Sequence, residues 1–387
     1  MKRMKLAALC LAAAMLLGGC AGHRGSGADN GKMRSDLTAQ TAAQEMGVGI
    51  NLGNTMEAYW ATESNATSGA SVIGENTPQN YETCWGAVVT TQECIDGMAA
   101  AGFDCVRVPV YWGNMMADDG TYTIDPAYMA RVQEIVDYCR RDDLYVIINI
   151  HHFDGYLIEH NSREDTLKAV ATVWKQIAEH FRDYSDHLVF EGFNEALGSC
   201  KKGETLTEEE TYDYVNALNQ TFVDTVRATG GNNAKRILIA SGYYTNIDNT
   251  TNEQFHMPED AAEDKLMVSV HYIDNIIYWR NMIGNDRWMD YSRQQCELLK
   301  ERFTDNGIPV FVGECTSIYT DDHFIKTPQY AGSSLCLQMQ LDQAADYGFV
   351  PVLWDVNDNF YSRTDCRIKS DSDQAVITEV AERIEQH

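Results

Sequence analysis

Eight short apolar segments alternate with helical stretches along the chain, and this alternation is the feature that most restricts its fold. The segments contain many β-branched residues and little polarity, which is typical of strands buried on both faces of a parallel sheet. The predicted strands are Val48–Leu52, Cys105–Pro109, Tyr145–Ile150, Leu188–Phe193, Arg236–Ala240, Met267–Val270, Pro309–Val312 and Phe349–Leu353. This pattern predicts an α/β fold, namely a closed (β/α)8 barrel of the TIM type forming a single catalytic domain.

The stretches between these strands carry the apolar periodicity of helices. The predicted helices are Thr91–Ala101, Asp125–Arg140, Arg163–Phe181, Glu208–Thr229, Trp288–Phe303, Ser334–Tyr347 and Asp373–Gln386, and the connection after the fifth strand has the weakest helical pattern. An open, doubly wound sheet is the structural alternative. It lacks support, because the turn after the first strand has no G-x-G-x-x-G sequence of the kind that dinucleotide-binding sheets carry.

The first twenty residues have the organisation of an export signal. Lys2, Arg3 and Lys5 precede an apolar stretch over residues 6–17. The following Leu17-Gly18-Gly19-Cys20 resembles the lipobox of bacterial lipoproteins, in which the cysteine is acylated and becomes the first residue. An ordinary signal peptide with a chance cysteine is the alternative.

We therefore predict three parts of the chain. Residues 1–19 form a lipoprotein signal peptide, residues 20–40 a flexible tether rich in Gly, Ser, Asp and Asn, and residues 41–387 the barrel domain. The protein is expected to be an exported lipoprotein anchored to the outer membrane or the cell surface. Its only expected contact with a membrane is the lipid on Cys20.

Charge and cysteine usage exclude several classes of function. The formal net charge of −27 argues against nucleic acid as a partner, because phosphate binding needs a basic surface. Such acidity fits a protein that acts on a neutral polymer, although it also serves solubility alone. The 11 cysteines include no Cys-x-x-Cys pair, so a structural zinc site is not expected.

Polar and aromatic residues lie within the last residues of the predicted strands or just after them, at the end where barrel enzymes hold their active sites. They are Asn51, Arg107, Trp112, His151, His152, Asn194, Glu195, Tyr243, Tyr244, His271, Tyr272, Glu314 and Trp354. We expect the substrate to be bound by Asn51, Arg107, Trp112, His151, His152, Asn194, His271, Tyr272 and Trp354. Charged groups are costly in apolar surroundings unless they are paired, so Arg107, Glu195 and Glu314 are expected to belong to one linked network.

Two carboxylates at the ends of the fourth and seventh strands suit glycosidic bond cleavage. One acid must protonate the leaving oxygen while the other attacks or stabilises the anomeric carbon. We expect the apolar neighbours of Glu195 to keep it protonated, and Arg107 to keep Glu314 ionised. We also expect the rings of Trp112 and Trp354, which follow strands directly, to stack on sugars.

Seven segments in this order resemble glycoside hydrolase family 5, the cellulase family of retaining barrel enzymes. They are Gly49-Ile50-Asn51-Leu52-Gly53-Asn54-Thr55, Arg107-Val108-Pro109-Val110, Ile150-His151-His152, Phe193-Asn194-Glu195, Ser269-Val270-His271-Tyr272, Gly313-Glu314 and Trp354-Asp355. The resemblance implies Glu195 as acid/base and Glu314 as nucleophile. It further implies that Arg107 positions the nucleophile and Asn194 binds the sugar 2-hydroxyl. His151, His271 and Trp354 would line the cleaved subsite.

Three positions depart from the family pattern. Ile273 stands where the family usually has a tyrosine that donates to the nucleophile, so Tyr272, Tyr243 or Tyr244 would have to replace it, or the donor is absent. Ala196 follows the acid/base in place of the frequent proline. Cys315 follows the nucleophile in place of an aromatic residue or glycine.

The sequence thus predicts a retaining endo-β-1,4-glucanase that acts as a monomer on β-glucan or a related polysaccharide, without metal or other cofactor. Within the family, a xyloglucanase or β-mannanase is the alternative. Two further alternatives are a non-catalytic glycan-binding barrel, which Ile273 would favour, and a metal-dependent hydrolase using His151, His152 and Asp154. No G-x-S-x-G sequence supports a serine esterase.

Overall fold

A computed structural model describes residues 29–59, 76–117, 119–159, 161–198, 205–274, 285–317 and 334–384. Its centre is a closed barrel of eight parallel strands that pair in chain order. They are β1 (Gly49–Asn51), β2 (Cys105–Val108), β3 (Tyr145–Ile148), β4 (Leu188–Glu191), β5 (Leu238–Ser241), β6 (Leu266–His271), β7 (Val310–Thr316) and β8 (Val350–Trp354). The predicted (β/α)8 barrel is confirmed.

Helices connect the strands and cover the outside of the barrel. They are α1 (Ala39–Glu45), α2 (Pro78–Glu82), α3 (Gln92–Ala100), α4 (Pro126–Arg141), α5 (Arg163–His180), α6 (Glu208–Ala228), α7 (Ile247–Thr251), α8 (Asp286–Arg302), α9 (Leu335–Tyr347) and α10 (Asp371–Ile384). A small hairpin, β9 (Tyr361–Ser362) and β10 (Arg367–Ile368), precedes α10. The seven predicted helices are all present, and the weak connection after β5 contains the five-residue α7.

Short polar side chains fix where the long helices begin. Thr207 accepts the backbone N–H of Glu210 at the start of α6, and the Glu210 carboxylate accepts the N–H of Thr207 in return. Ser162 and Asp125 cap α5 and α4 by accepting N–H groups of their first turns. Such caps satisfy amides that have no partner within the helix, so each connection enters its helix at a defined residue.

The short helix α1, which the sequence did not predict, closes the end of the barrel where the strands begin. Its apolar residues pack on the side chains that the strands send into the barrel interior. The members of this core are Leu37, Ala39, Ala42, Ala43, Met46, Cys105, Tyr145, Ile147, Val189, Ile237, Ile239, Met267, Phe311, Val350 and Val352. The interior is therefore a packed core, and only the opposite end, where the strands finish, is open for a site.

Residues 29–40 lie against the barrel, although the sequence predicts them as part of a flexible tether. Arg34 forms ion pairs with Glu45 at 2.7 Å and Asp186 at 2.8 Å, and Leu37 is buried. Asp29 forms an ion pair with Arg140 at 2.7 Å, so contacts with the barrel domain begin at residue 29 and not at residue 41. The predicted signal peptide over residues 1–19 and Cys20 lie outside the described residues. No helix in the part of the chain that the structure describes has the length and apolarity needed to cross a bilayer.

The strand pairing is irregular on both sides of β7 near its carboxyl end. The register shifts between Val270 and His271 where β6 pairs with β7, and between Val312 and Cys315 where β7 pairs with β8. Glu314 lies in this irregular stretch, paired with His271. Because bulges change the direction of the side chains they carry, this irregularity gives Glu314 an orientation that a regular strand would not.

Arg236, just before β5, is fully buried, and all three nitrogen atoms of its guanidinium donate hydrogen bonds. Its Nε donates to Asn233, and its two Nη groups donate to the carbonyls of Phe181, Tyr184, Ser185 and Leu188. Phe181, Tyr184 and Ser185 lie between α5 and β4, and Leu188 is the first residue of β4, so one side chain bonds to the main chain of this whole connection.

We expect Arg236→Leu to lower the free energy of unfolding by about 3–5 kcal/mol, because the buried side chain loses its hydrogen bonds to five oxygen atoms. Urea denaturation of the purified protein measures this loss. Arg293→Ala, which removes an exposed ion pair with Asp290, is the control and should change stability by less than about 0.5 kcal/mol. Equal losses in the two variants would contradict the structural role given to Arg236.

Candidate active site

Two carboxylates from opposite sides of the barrel meet at its open end. Glu195 follows β4, whereas Glu314 lies within β7. A carboxylate oxygen of each lies within 4.8 Å of the other and of a ring nitrogen of His271. The Glu195 side chain is 29% exposed and that of Glu314 is 7% exposed, so Glu195 is the more accessible acid.

Arg107 joins the groups of this site into one buried network, as the sequence predicted. Its Nη1 donates to Glu314 at 3.2 Å and to Asn51 at 3.0 Å, and its Nη2 donates to Asn194 at 2.8 Å. Its Nε donates to Glu191 at 2.7 Å. The guanidinium is completely buried, so these four partners hold it in one orientation.

Asn51 lies beneath the site, where it supports the network. It was predicted to bind substrate, but it is fully buried, and its amide donates to the carbonyls of Gly313 and Leu353. The prediction of a sugar contact is wrong, because all the polar atoms of Asn51 are already bonded to protein. Its donation to Gly313 instead stabilises the irregular backbone that carries Glu314.

Asn194 immediately precedes Glu195, and its side chain is oriented by Arg107. The side-chain oxygen accepts from Arg107, and the backbone N–H donates to Ile150 at 3.0 Å. Because the guanidinium can only donate, the amide NH₂ of Asn194 is the group left to donate to a ligand. This orientation is compatible with the predicted contact to a sugar hydroxyl.

His271 stands between the two carboxylates. Its Nδ1 is 3.1 Å from an oxygen of Glu195 and 3.6 Å from an oxygen of Glu314. Its Nε2 is buried and has no hydrogen-bond partner in the described structure. A buried N–H without an acceptor is costly, so we place the ring proton on Nδ1, where it is donated to Glu195.

Tyr272 supplies the donor to Glu314 that the sequence pattern left open. Its hydroxyl donates to a carboxylate oxygen of Glu314 at 3.1 Å, and its backbone N–H donates to the Glu314 carbonyl at 2.8 Å. Tyr272 has a left-handed backbone with φ of 53°, while Ile273 is completely buried. The left-handed turn therefore replaces the tyrosine expected one position later, and Ile273 no longer favours a non-catalytic barrel.

We expect Tyr272→Phe to lower kcat on a β-glycan about 10- to 100-fold, since one hydrogen bond to a buried carboxylate is lost while the ring is kept. Steady-state kinetics on the substrate that the parent cleaves best measures this. Tyr243→Phe is the control, because the Tyr243 ring packs edge-on against Tyr212 at 5.3 Å. Equal rates for the parent and Tyr272→Phe would show that Glu314 does not need this donor.

The pKa values of the two carboxyl groups are displaced opposite to the expectation from sequence. Burial raises the pKa of Glu314, although His271, Arg107 and the hydrogen bond from Tyr272 oppose the shift. Burial also acts to raise the pKa of Glu195, but the hydrogen bond from His271 and the positive charge of Arg107 outweigh it and lower that pKa. The expectation that apolar neighbours keep Glu195 protonated is therefore wrong for the ligand-free protein, because its partly exposed carboxylate contacts His271.

Aromatic rings form one side of the open end. Trp354 is half-buried, and its ring lies parallel to that of His151 within 10°, with centroids 6.3 Å apart. Burial lowers the pKa of His151 well below its usual value, so its ring is neutral near neutral pH. His152 is exposed and contacts the rings of Tyr59 and Trp85 at 5.3 and 5.7 Å. The arrangement offers flat surfaces of the kind that bind sugar rings.

Trp112 is part of the hydrophobic core, so the predicted sugar contact is wrong. It is 1% exposed, packs edge-on against Tyr128 and donates its indole N–H to the carbonyl of Asn149 at 2.9 Å. The reason is a short 3-10 helix over Trp112–Met115, which begins three residues after the predicted strand and turns the ring inward.

The sequence reasoning missed a layer of polar residues beneath the site. Glu191 in β4 is completely buried and accepts from Arg107, from Asn149 at 3.0 Å and from Ser269 at 2.8 Å. A glutamate inside a buried strand was the available signal, because such a charge requires a partner. Arg107 in β2 is that partner. The sequence analysis expected Arg107 to pair with Glu195 and Glu314 and did not consider Glu191.

Glu195, His271 and Glu314 are also the residue types that bind divalent cations. They form the one such cluster found in the part of the chain that the structure describes. Their environment does not suit a cation, because the Arg107 guanidinium already lies 3.2 Å from Glu314 and the His271 Nδ1 proton is directed at Glu195. The cluster is better suited to proton transfer and nucleophilic attack.

The sequence matches the family described as cellulase (glycosyl hydrolase family 5) over residues 66–360. The chain belongs to glycosyl hydrolase family 5. It is therefore a glycoside hydrolase, and the family suggested by the seven sequence segments is confirmed.

Individual relatives support the assignment to family 5. Endoglucanase A of Ruminococcus albus is 35% identical over 337 residues, which are 84% of this chain and 85% of the relative. A xyloglucan-specific endo-β-1,4-glucanase of Bacteroides ovatus is 39% identical over 249 residues, or 64% of this chain and 47% of the relative. A broad-specificity endoglucanase from Ruminococcus champanellensis, solved with bound cellotriose, has a TM-score of 0.76 at 30% identity, covering 89% of this chain and 99% of that one.

Proposed function

We propose that this family 5 enzyme is a retaining endo-β-1,4-glucanase that cleaves β-glucan by double displacement. The observation that carries the proposal is the separation of less than 4.8 Å between carboxylate oxygens of Glu195 and Glu314. Retaining glycosidases hold their two carboxyl groups about 5–5.5 Å apart, and neighbouring oxygens this close are compatible with that spacing. The Ruminococcus relatives, named as endoglucanases, support β-1,4-glucan as the substrate.

In the first step, Glu314 attacks the anomeric carbon while Glu195 protonates the leaving glycosidic oxygen. The C–O bond breaks, and an ester forms between the sugar and Glu314. Glu195 then takes a proton from water, whose oxygen attacks the anomeric carbon, breaks its bond to Glu314 and releases the sugar. A bound glycan covers the exposed part of Glu195, and removal from water raises the pKa of a carboxyl group. Substrate binding thereby favours the protonated Glu195 that the first step needs.

The surrounding residues divide into those that hold the sugar and those that hold the acids. We assign Trp354, His151 and His152 to the sugar, because their rings lie at the open end of the barrel. Asn194 donates to a sugar hydroxyl from the NH₂ group that Arg107 leaves available. Tyr272 and His271 hold Glu314 and Glu195 in place through the hydrogen bonds described above.

Substrate choice is tested with purified parent enzyme on soluble cellulose, mixed-linkage β-glucan, xyloglucan and β-mannan. We expect reducing ends from the β-1,4-glucans and an early fall in viscosity, which marks cleavage inside the chain. Activity on β-mannan alone would contradict the glucanase proposal and leave a family 5 hydrolase of another specificity. A slow fall in viscosity with rapid release of short products would contradict internal cleavage.

Xyloglucan is the second candidate substrate, and a specific relative favours it. The Bacteroides ovatus protein named as xyloglucan-specific is 39% identical where it aligns. A higher kcat/KM on xyloglucan than on mixed-linkage β-glucan would select this alternative. The catalytic steps assigned to Glu195 and Glu314 are the same for both polymers.

We also propose that the enzyme is exported and held at the outer membrane or cell surface by a lipid on Cys20. The basic residues before the apolar stretch and the Leu17-Gly18-Gly19-Cys20 sequence support this. Cys20→Ala should move the protein from the membrane fraction to the soluble fraction and abolish labelling by a fatty acid. Unchanged membrane association would contradict it.

We expect the enzyme to be a monomer, since one chain supplies both acids. Light scattering of the purified protein tests this.

A further inference from the structure

Arg107 divides its guanidinium between two carboxylates, and only one of them belongs to the catalytic pair. Its Nε lies 2.7 Å from Glu191, while its Nη1 lies 3.2 Å from Glu314. The side chains of Arg107 and Glu191 are fully buried, and that of Glu314 is 7% exposed. The shorter ion pair is therefore made with a carboxylate that solvent and substrate do not reach.

We propose that Glu191 is a positioning residue that sets the proton affinity of Glu314 by competing with it for the charge of Arg107. This inference rests on the proposed role of Glu314 as the nucleophile. A nucleophile paired too strongly with a cation is a weak one, and an unpaired buried carboxylate takes up a proton. By sharing Arg107, Glu191 keeps Glu314 between these two extremes.

The groups facing Glu314 come from several strands, and their charges determine the sign of the effect. Arg107 approaches from β2, Glu195 from the segment after β4, and His271 and Tyr272 from the end of β6. Glu191, in β4, acts on Glu314 through Arg107, which it shares. Arg107 is the one cation bonded to Glu314 among the described residues. Removing the negative charge of Glu191 leaves more of the Arg107 charge for Glu314, which favours the ionised form of Glu314.

The substitution Glu191→Gln removes this charge and keeps the hydrogen bonds. Both Arg107 and Asn149 donate to the same oxygen of Glu191, which the amide oxygen replaces. Ser269 donates to the other oxygen, and a hydroxyl can rotate to accept from the amide NH₂ that takes this place. The variant is therefore expected to fold with the network in its original geometry.

The test is the pH dependence of kcat/KM on 2,4-dinitrophenyl β-cellobioside, or the corresponding aryl glycoside if another polymer is the substrate. This leaving group needs no protonation, so the acid limb reports the ionisation of Glu314 in the free enzyme. We expect Glu191→Gln to move the acid limb to lower pH by about one unit, because Glu314 then stays ionised to lower pH. Glu191→Asp keeps the charge and should leave the limb within about 0.3 units of the parent.

Glu82→Gln is the matched control, because Glu82 is a second buried carboxylate in an arginine ion pair. Glu82 lies on α2 and accepts two hydrogen bonds, at 2.8 and 2.9 Å, from Arg131 on α4. Both helices lie outside the barrel. Glu82→Gln should lower stability without moving the acid limb. The inference is overturned if Glu191→Gln leaves the acid limb at the pH of the parent, as Glu82→Gln should, or moves it to higher pH. A parent that cleaves none of the polymers tested above would instead refute the glucanase proposal, while the aryl glycoside still reports on Glu191.

Discussion

Replacing Glu314 by glutamine is expected to reduce kcat on β-glucan by roughly 10⁴-fold or more, while the protein stays folded. An amide cannot form the ester to the anomeric carbon, so the first step has no nucleophile. The substitution preserves shape, and its oxygen can still accept from Arg107 at the 3.2 Å contact. Glycan binding should therefore persist, as measured by calorimetry with a cello-oligosaccharide.

Reducing-end release by Glu314→Gln and the parent is the measurement. Glu209→Gln provides the control, because Glu209 is an exposed carboxylate in the first turn of α6 and should leave the rate unchanged. Comparable release by Glu314→Gln and the parent would remove Glu314 from the role of nucleophile.

Replacing Glu195 by alanine is expected to have the second largest effect, and its size should depend on the leaving group. On β-glucan, kcat/KM should fall about 10²- to 10⁴-fold, because the leaving sugar oxygen is no longer protonated. On 2,4-dinitrophenyl β-cellobioside, whose leaving group needs no proton, kcat/KM should stay within about tenfold of the parent. The glycosyl-enzyme then accumulates, since no base activates water for the second step.

Azide separates this explanation from simple damage to the site. Azide attacks without base assistance, so it should restore kcat of Glu195→Ala on the aryl glycoside and yield a β-glycosyl azide. No acceleration by azide, or an equal loss on both substrates, would contradict the acid/base role of Glu195.

The barrel and the meeting of the two acids could be predicted from sequence because both follow from topology. Strands of a parallel barrel are buried on both faces, so they appear as uninterrupted apolar runs with polar residues just after them. Closure of the barrel then brings the ends of β4 and β7 to one opening, however far apart they lie in the chain. Glu195, Glu314 and Arg107 were found in this way.

Orientation at a strand end could not be predicted in the same way. Asn51 ends an apolar run and Trp112 follows one, yet Asn51 bonds beneath the site and Trp112 packs into the core. Their directions depend on the shifted register around β7 and on a short 3-10 helix, neither of which leaves a pattern in composition. The same holds for Tyr272, whose left-handed backbone was needed to place its hydroxyl on Glu314.

Long-range ion pairs explain the remaining differences. Residues 29–40 resemble a tether by composition, but Arg34 binds Asp186, a residue 152 positions away. The pKa shifts of the two acids were misjudged for a similar reason. The sequence neighbours of Glu195 are apolar, whereas the group that contacts its carboxylate is His271 from another strand.

The anomeric configuration of the first product tests the central claim most directly, because only a covalent sugar ester on Glu314 gives two inversions. Proton NMR during the first minutes of hydrolysis of a cello-oligosaccharide distinguishes the two anomers before they interconvert. We predict that the β-anomer of the new reducing end appears first and the α-anomer only later. Initial appearance of the α-anomer would mean direct attack by water and would contradict the assignment of Glu314 as nucleophile.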